Sequence, residues 1–177
     1  MSKQQMDKRI TLRPMEDTLA DYTALQTWFH EPELCRWVWY DEKDEPPVSL
    51  ERVREKYGAR INHPVDVFPY FILREGLPIG FIQYYLAGEE RIGLDMWLGS
   101  TEVRGRGFGS EALRQMVMLI RERHPQVKEV FIDPEKENVR AVRCYAKAGF
   151  QPVGEYVGEE GAVCLMMKIH FGEESLL

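Results

Sequence analysis

Cysteine is scarce in this sequence, since Cys35, Cys144 and Cys164 are its only three and they lie far apart. No C-x-x-C pair occurs, so neither a zinc site nor a disulfide framework is indicated. The four histidines also lack the spacing of metal ligands. They are His30, His63, His124 and His170. We therefore expect no metal centre.

Long apolar runs, repeats and low-complexity tracts are also missing. The uninterrupted apolar stretch near the middle, Met116 to Ile120, is far too short to span a bilayer. The segment from Met1 to Arg9 is polar and lacks the apolar core of a signal peptide. We expect a single cytoplasmic domain over residues 1–177, with its core at about 10–169 and no membrane partner.

The sequence also lacks an excess of positive charge, since its formal net charge is -6. An acidic chain repels a phosphate backbone, so we expect no nucleic-acid partner. An acidic surface favours cationic small molecules or basic protein tails. The 44% of apolar residues and 29% of charged residues are typical of a globular protein and argue against a disordered one.

Helical and strand periodicities alternate in the order β-α-α-β-β-β-α-β-α-β-β. Strands are predicted at 10–13, 70–74, 77–86, 91–98, 127–133, 151–157 and 162–169. Helices are predicted around 22–29, from Ser49, at 110–123 and at 138–148. The strand–helix–strand order in the second half implies a parallel pair inside a mixed sheet. The predicted class is α/β (α+β), with a mostly antiparallel sheet flanked by helices.

A glycine-rich loop immediately precedes the helix predicted at 110–123. Its residues are Arg104, Gly105, Arg106, Gly107, Phe108, Gly109 and Ser110. A helix start has unpaired N–H groups and a partial positive charge, and glycines let a phosphate approach them closely. The two arginines add charged donors. The alternative is a plain exposed turn, but three alternating glycines before an amphipathic helix favour anion binding.

The spacing of the loop excludes two common phosphate sites. No Gly-Lys-Ser or Gly-Lys-Thr occurs, and the glycines read G-x-G-x-G rather than G-x-G-x-x-G. The segment has R-x-x-G-x-G at Arg104, Gly107 and Gly109, which resembles the acetyl-CoA pyrophosphate loop of the GCN5-related N-acetyltransferases. The run from Asn138 to Phe150 resembles the second signature of that family. The resemblance implies that family's fold, acetyl-CoA as cofactor, and cofactor contacts at Met96, Trp97, Leu98, the seven loop residues, Asn138 and Ala141.

A narrower resemblance is to the aminoglycoside 6′-N-acetyltransferases. It rests on the segments 68–70, 78–85, 93–95, 133–134 and 140–145 and covers about Ile10 to Met167. It implies an amine acceptor held by Trp37, Tyr40, Asp41, Gln83, Tyr85, Asp95 and Asp133. Two departures fall near the acceptor: the turn at 87–91 is short, and the family's Asp-Gln pair is Asp95-Met96 here. Siderophore-type acyltransferases and ribosomal-protein acetyltransferases share much of this pattern.

Acetyl transfer to an amine needs a group that takes the amine proton and a group that stabilises the departing thiolate. The resemblance places Asp95 at the amine and Tyr145 near the sulfur. The residues alone leave alternatives open: Asp95 as an exposed strand residue, Tyr145 as part of a helix packing face, and Asn138 as an N-cap. Asp133 with Pro134 is a further acceptor carboxylate or a plain turn.

The hypothesis is acetyl transfer from acetyl-CoA, by direct attack on the thioester, to a primary amine of a small cationic acceptor. An aminoglycoside 6′-amine is the leading acceptor. The alternatives are a protein N-terminus, a siderophore or hydroxamate precursor, and a non-catalytic acetyl-CoA-binding module. Whether the protein is a monomer or a homodimer stays open.

Overall fold

The computed structural model describes residues 9–38 and 48–172. Its strands are β1 (Thr11–Pro14), β2 (Val67–Arg74), β3 (Leu77–Leu86), β4 (Arg91–Leu98), β5 (Glu129–Ile132), β6 (Gln151–Val157) and β7 (Val163–His170). Its helices are α1 (Leu19–Trp28), α2 (Pro32–Cys35), α3 (Leu50–Asn62), α4 (Phe108–Arg123) and α5 (Val139–Lys147), with a 3₁₀ turn at Thr101–Val103. The predicted fold class and element order are confirmed, with two short additions, α2 and the 3₁₀ turn.

Within these ranges the strands form one sheet in the order β1-β2-β3-β4-β5-β7-β6. Neighbouring strands are antiparallel except β4 and β5, which are parallel. The crossover between that pair is α4, as the alternation of strand and helix predicts. Among the described residues, no helix combines the length and apolarity that crossing a membrane requires.

Each face of the sheet covers its own hydrophobic core, because successive strand residues point to opposite sides. On one face Ile82 and Leu94 pack under α4, whose predicted apolar stripe of Leu113, Met116, Val117 and Ile120 is buried there. On the other face Phe81 and Trp97 pack against residues of α1 and α3. The site residues on β3 and β4 thus lie between two packed layers.

Local capping explains where several elements begin. Ser49 caps α3 by accepting a hydrogen bond from the Arg52 N–H at 3.1 Å. The β2–β3 hairpin turns through Glu75 and Gly76, whose φ angles of 51° and 79° are those that a tight two-residue turn needs.

The predicted bounds of β1 and β7 were each wrong by one residue, and those of β2 and β5 by more. β2 begins at Val67 rather than Tyr70, since Pro69 pairs opposite Gln83 despite lacking an N–H. β5 begins at Glu129 rather than Val127 and ends at Ile132, because the Val127 N–H is bonded to the His124 carbonyl in the turn after α4.

Candidate active site

A cleft opens where β4 and β5 stop pairing. Their parallel register covers Arg91–Gly93 against Glu129–Phe131, whereas β4 runs on to Leu98. The cleft beyond Gly93 has a volume of about 1200 Å³. Its lining includes β4 residues from Leu94 to Leu98, the segment after β5, the start of α4 and one face of α5.

The start of α4 forms one end of this cleft. Gly107 is the N-cap residue, with φ 84°, and it provides no side-chain cap. The N–H groups of the first turn therefore have no acceptor in the helix, and the helix dipole makes this end positive. Gly105, Gly107, Gly109 and Ser110 all line the cleft, so the structure brings this part of the predicted loop together.

Two cationic side chains that the loop motif does not contain converge on Gly107. A β-carbon there would lie 3.2 Å from Arg9 Nη2 and 3.6 Å from Lys147 Nζ. Arg9 precedes β1 and Lys147 ends α5, so neither is close to Gly107 in sequence. Lys147 lines the cleft, whereas Arg9 does not and is ion-paired with Glu111 of α4 at 3.2 Å. A polyanion at this helix start would meet backbone donors and the Lys147 ammonium, with the Arg9 guanidinium close by.

Arg104 lines the cleft, and its guanidinium is held by acidic partners. Its guanidinium forms ion pairs with Glu31 and Glu33 at 3.0 Å each and also donates to the Leu98 carbonyl. Its backbone N–H donates to the Thr101 carbonyl. Arg104 thus joins the α1–α2 segment to the loop, a pairing between residues about seventy positions apart that spacing does not reveal.

Arg106 and Phe108 are not among the cleft residues. They line a second cavity beside β1, where the buried Phe108 ring lies 5.2 Å from the Arg9 guanidinium carbon and 5.1 Å from that of Arg74. Ser110 is also buried, and its hydroxyl donates to the Gly107 carbonyl at 3.1 Å. Phe108 and Ser110 thus pack on the inner side of the loop, whereas Arg106 is exposed.

Met96, Trp97 and Leu98 all line the cleft on β4. The Trp97 ring stacks on Phe81 with centroids 4.3 Å apart. Asn138 and Ala141 lie on the opposite wall, where Asn138 Oδ1 accepts from the Ala141 N–H at 3.2 Å. The structure therefore shows Asn138 as the N-cap of α5.

Asp95 lies on the cleft wall directly opposite Gln83 in the β3–β4 register. Its Oδ2 accepts a hydrogen bond from Gln83 Nε2 at 2.7 Å. Burial raises the pKa of Asp95, Gln83 opposes that shift, and the negative charge of Asp133 adds to it. Asp95 is partly enclosed, so the alternative of an exposed strand residue does not describe it.

Tyr145 reaches the cleft from α5 and is 8% exposed. Burial raises the pKa of its phenol well above the usual value, and nearby Cys144, Asp95 and Asp133 raise it further. The phenol is therefore a hydrogen-bond and proton donor at neutral pH. Tyr145 also packs in the core, so both of its predicted roles are compatible with its position.

Asp133 lies on the wall opposite Asp95, just after β5. Its carboxylate accepts a hydrogen bond from the Tyr156 hydroxyl, which also lines the cleft. Trp37 also lines the cleft, with the Arg36 guanidinium carbon 4.7 Å from its ring centroid. Tyr40 and Asp41 fall outside the described residues.

Tyr85 does not line the cleft, although the sequence suggested it as an acceptor contact. Its ring covers the α-carbon of Gly93 and meets the Phe131 ring edge-on at 5.9 Å. Tyr85 thus packs against the sheet at the point where β4 and β5 stop pairing, beneath the cleft.

Gly93→Ala is expected to lower the free energy of unfolding by about 1–3 kcal/mol. A β-carbon at position 93 would lie 2.1 Å from the Tyr85 ring, which the Phe131 ring holds in place. Urea denaturation measures the change. Gly154→Ala is the control, because nothing lies within 4 Å of a β-carbon there. Equal stability of the two variants would contradict the packing described.

Sequence reasoning missed three residues that line the cleft, Arg60, Tyr156 and Lys147, and also Arg9, which lies close to Gly107. Lys147 lies inside the second signature and carried a local signal. The other three come from α3, β6 and the segment before β1, and no motif links them to the loop.

The sheet opens between two parallel strands, the start of a helix there suits an anion, and a partly buried carboxylate lies on the wall. These features together are those of an acyltransferase that takes a phosphate-bearing donor. A family model described as an acetyltransferase (GNAT) domain matches residues 17–157. The chain belongs to this family, the GCN5-related N-acetyltransferases, as its two motifs predicted.

Relatives with assigned activities point the same way. The aminoglycoside N(6′)-acetyltransferase type 1 of Klebsiella pneumoniae is 32% identical over 90% of this chain and 82% of that protein. A crystal structure of aminoglycoside acetyltransferase AAC(6′)-Ib with coenzyme A and kanamycin is 29% identical, with a TM-score of 0.76 over 91% of this chain and 94% of that one. The same enzyme with ribostamycin and coenzyme A is 31% identical, with a TM-score of 0.77 over 91% and 93%.

Proposed function

We propose that this protein transfers the acetyl group of acetyl-CoA to the 6′-amine of an aminoglycoside. The observation that carries the proposal is the cleft with the positive start of α4 at one end and the partly buried Asp95 on its wall. The identity to the Klebsiella enzyme over most of both chains supports the choice of acceptor.

The residues at the start of α4 fit the pyrophosphate of acetyl-CoA. Gly105 and Gly107 have φ angles of 73° and 84°, and they present backbone N–H groups with no side chain in the way. Arg9 and Lys147 add positive charge beside Gly107. Acetyl-CoA supplies an acetyl thioester, and the residues of the cleft act on the amine and on the leaving sulfur.

In this proposal Asp95 holds the acceptor ammonium and takes its proton. An ordinary aspartate, with a pKa of about 3.9, is a weak base toward an alkyl ammonium. Burial raises the pKa of Asp95, which makes its carboxylate a better proton acceptor while Gln83 keeps it hydrogen-bonded. The neutral amine then attacks the thioester carbonyl.

The segment between β5 and α5 gives the cleft further negative charge. Asp133, Glu135 and Glu137 all contribute to the lining. Carboxylates spaced along one wall suit an acceptor that carries several ammonium groups, since each ammonium gains a charged hydrogen-bond partner. An aminoglycoside is such a molecule.

Direct transfer is favoured over a covalent acetyl-cysteine. Cys144 also lines the cleft, next to Gly109, but burial raises the pKa of its thiol to about 11. A thiol in that state is mostly protonated at neutral pH and is a poor nucleophile. Tyr145, which stays protonated, is the donor available to the departing thiolate.

Tyr145→Phe is expected to lower kcat by at least about tenfold and to change the KM for acetyl-CoA little. The substitution removes the phenolic proton donor and leaves the ring that packs in the core. Steady-state kinetics with thiol detection measure the effect. Tyr84→Phe, a buried tyrosine on the core beneath α4, is the control and should keep wild-type kcat. Full activity of Tyr145→Phe would exclude it as the proton donor.

An acceptor screen tests the proposed function. Release of free thiol from acetyl-CoA is followed with kanamycin, tobramycin, a polyamine, a peptide with a free N-terminus and a hydroxamate precursor. We expect kcat/KM to be highest for the aminoglycosides. Good turnover of another amine, with no turnover of any aminoglycoside, would overturn the proposed acceptor. If no compound of the panel causes thiol release, a non-catalytic role is favoured.

The sequence placed the short β3–β4 turn near the acceptor, but none of its residues lines the cleft. The Ala87 N–H donates to the Arg91 carbonyl at 3.0 Å, and the turn closes at the start of β4, where that strand still pairs with β5. The length of the turn therefore does not favour one acceptor of the screen over another.

A further inference from the structure

We propose that Arg60 is a positioning residue that fixes the orientation of the Gln83 amide and thereby the hydrogen bond that Asp95 receives. The inference rests on the proposed function, in which Asp95 meets the acceptor amine. Arg60 lies on α3 and lines the cleft, and neither motif of the chain includes it.

Three side chains from three elements form one chain of hydrogen bonds. Arg60 Nη1 donates to Gln83 Oε1 at 3.0 Å, and Gln83 Nε2 donates to Asp95 Oδ2 at 2.7 Å. Gln83 is 8% exposed, so water has little access to replace either partner. The chain runs from α3 through β3 to β4.

The direction of this hydrogen-bond chain follows from what each group can do. A guanidinium donates and does not accept, so the side of the amide that faces Arg60 has to be its oxygen. The NH₂ group then faces Asp95 and donates to it. Without Arg60 the ionised Asp95 carboxylate alone favours this orientation, and a protonated Asp95 could instead donate to the oxygen of the rotated amide.

Arg60 is itself held in place. Its guanidinium carbon lies 5.1 Å from the ring centroid of Tyr57, one turn earlier on α3. Tyr57 is buried against Phe29 and Phe81. The guanidinium therefore rests on a rigid aromatic surface, which suits a positioning role.

Charged and titratable groups face Asp95 from every neighbouring element, namely Arg60 on α3, Tyr85 on β3, Asp133 after β5 and Tyr145 on α5. Burial and Asp133 raise the pKa of Asp95, whereas Gln83 and Arg60 lower it. Loss of Arg60 removes its positive charge and frees the amide, so both changes raise the pKa of Asp95 further. Asp95 would then be protonated over a wider pH range.

The test measures the titration of Asp95 directly, by carbon-13 NMR of the protein labelled at its aspartate carboxyls. Asp95→Asn assigns the signal. Arg60→Met is expected to raise the Asp95 midpoint by about one pH unit, and Gln83→Met should raise it similarly. Because the two act in one chain, the double variant should shift it little more than either alone. Arg54→Met, an exposed arginine on the same helix, is the control and should leave the midpoint unchanged.

The same variants are compared in pH profiles of kcat/KM for kanamycin. The acid limb should move to higher pH in Arg60→Met and Gln83→Met, a change that a merely structural role would not produce. An unchanged Asp95 midpoint in folded Arg60→Met or Gln83→Met would overturn the inference. The NMR measurement needs no acceptor. A wild-type protein that does not acetylate aminoglycosides would therefore count against the proposed function, while the NMR titration would still decide the role of Arg60.

Discussion

Asp95→Asn is expected to lower kcat/KM for an aminoglycoside by about 10³-fold, within the range that loss of a general base gives. The amide neither takes the proton of the acceptor ammonium nor pairs with its charge. The KM for acetyl-CoA should change little, because the donors proposed for its pyrophosphate are at the start of α4 and do not include the Asp95 carboxylate of β4. Steady-state kinetics with each substrate varied in turn measure both effects.

The pH dependence provides a second readout for the same variant. In the wild type kcat/KM should fall as the pH drops through the pKa of Asp95, which burial raises above its ordinary value. That acid limb should disappear in Asp95→Asn. Asp66→Asn, at an exposed position before β2, is the control and should match the wild type. An acid limb that persists unchanged in Asp95→Asn would show that another group is the base.

Gly107→Val is expected to lower kcat/KM for acetyl-CoA by at least about 100-fold, because several charge-assisted hydrogen bonds to phosphate would be lost. The new side chain would occupy the space between Arg9 and Lys147, where the pyrophosphate is proposed to bind. It would also be forced into a left-handed backbone conformation, since φ is 84° at this residue. Calorimetric titration with coenzyme A should show the loss without any acceptor present.

Backbone strain has to be separated from the loss of the donor site. Gly88→Val is the matched control, because Gly88 also has a positive φ, 117°, but lies in the β3–β4 turn with nothing near its β-carbon. Both variants should lose roughly 1–2 kcal/mol of stability from the strained conformation. Only Gly107→Val should lose coenzyme A binding. Equal coenzyme A affinity for Gly107→Val and the wild type would place the pyrophosphate elsewhere.

Most of the fold could be predicted because its signals are local. The apolar stripe of α4 repeats at helical spacing, Ser49 is a favourable N-cap, and Glu75 with Gly76 marks a hairpin turn. Each of these depends on a few consecutive residues. The strand–helix–strand order then gave the parallel pair of β4 and β5.

The bounds that were wrong depend on partners distant in sequence. The apolar run around β5 extends beyond the residues that find a ladder partner on β4 or β7. The helix α2 has four residues, too few for a periodic pattern to reveal. The ladder partners of β5 are tertiary contacts, and the turn hydrogen bond from the Val127 N–H to the His124 carbonyl also keeps Val127 out of the strand.

The candidate site shows the same difference between features with a local sequence signal and features that depend on distant residues. The glycine loop could be predicted, because its chemistry lies in consecutive residues. The ion pairs of Arg104 with Glu31 and Glu33 could not, nor could the contact of Arg60 with Gln83, since each joins separate elements of the fold. Asp95 was found through the family resemblance, while the partners that set its pKa became visible only in three dimensions.

Determining the structure of the product tests the account most directly. The purified protein is incubated with acetyl-CoA and kanamycin A, and the product is analysed by mass spectrometry and two-dimensional NMR. A matched aminoglycoside with a hydroxyl in place of the 6′-amine serves as the control acceptor. We expect one acetyl group on the 6′-nitrogen of kanamycin and no product from the control. Acetylation at another nitrogen, or no acetylated kanamycin at all, would contradict the proposed function.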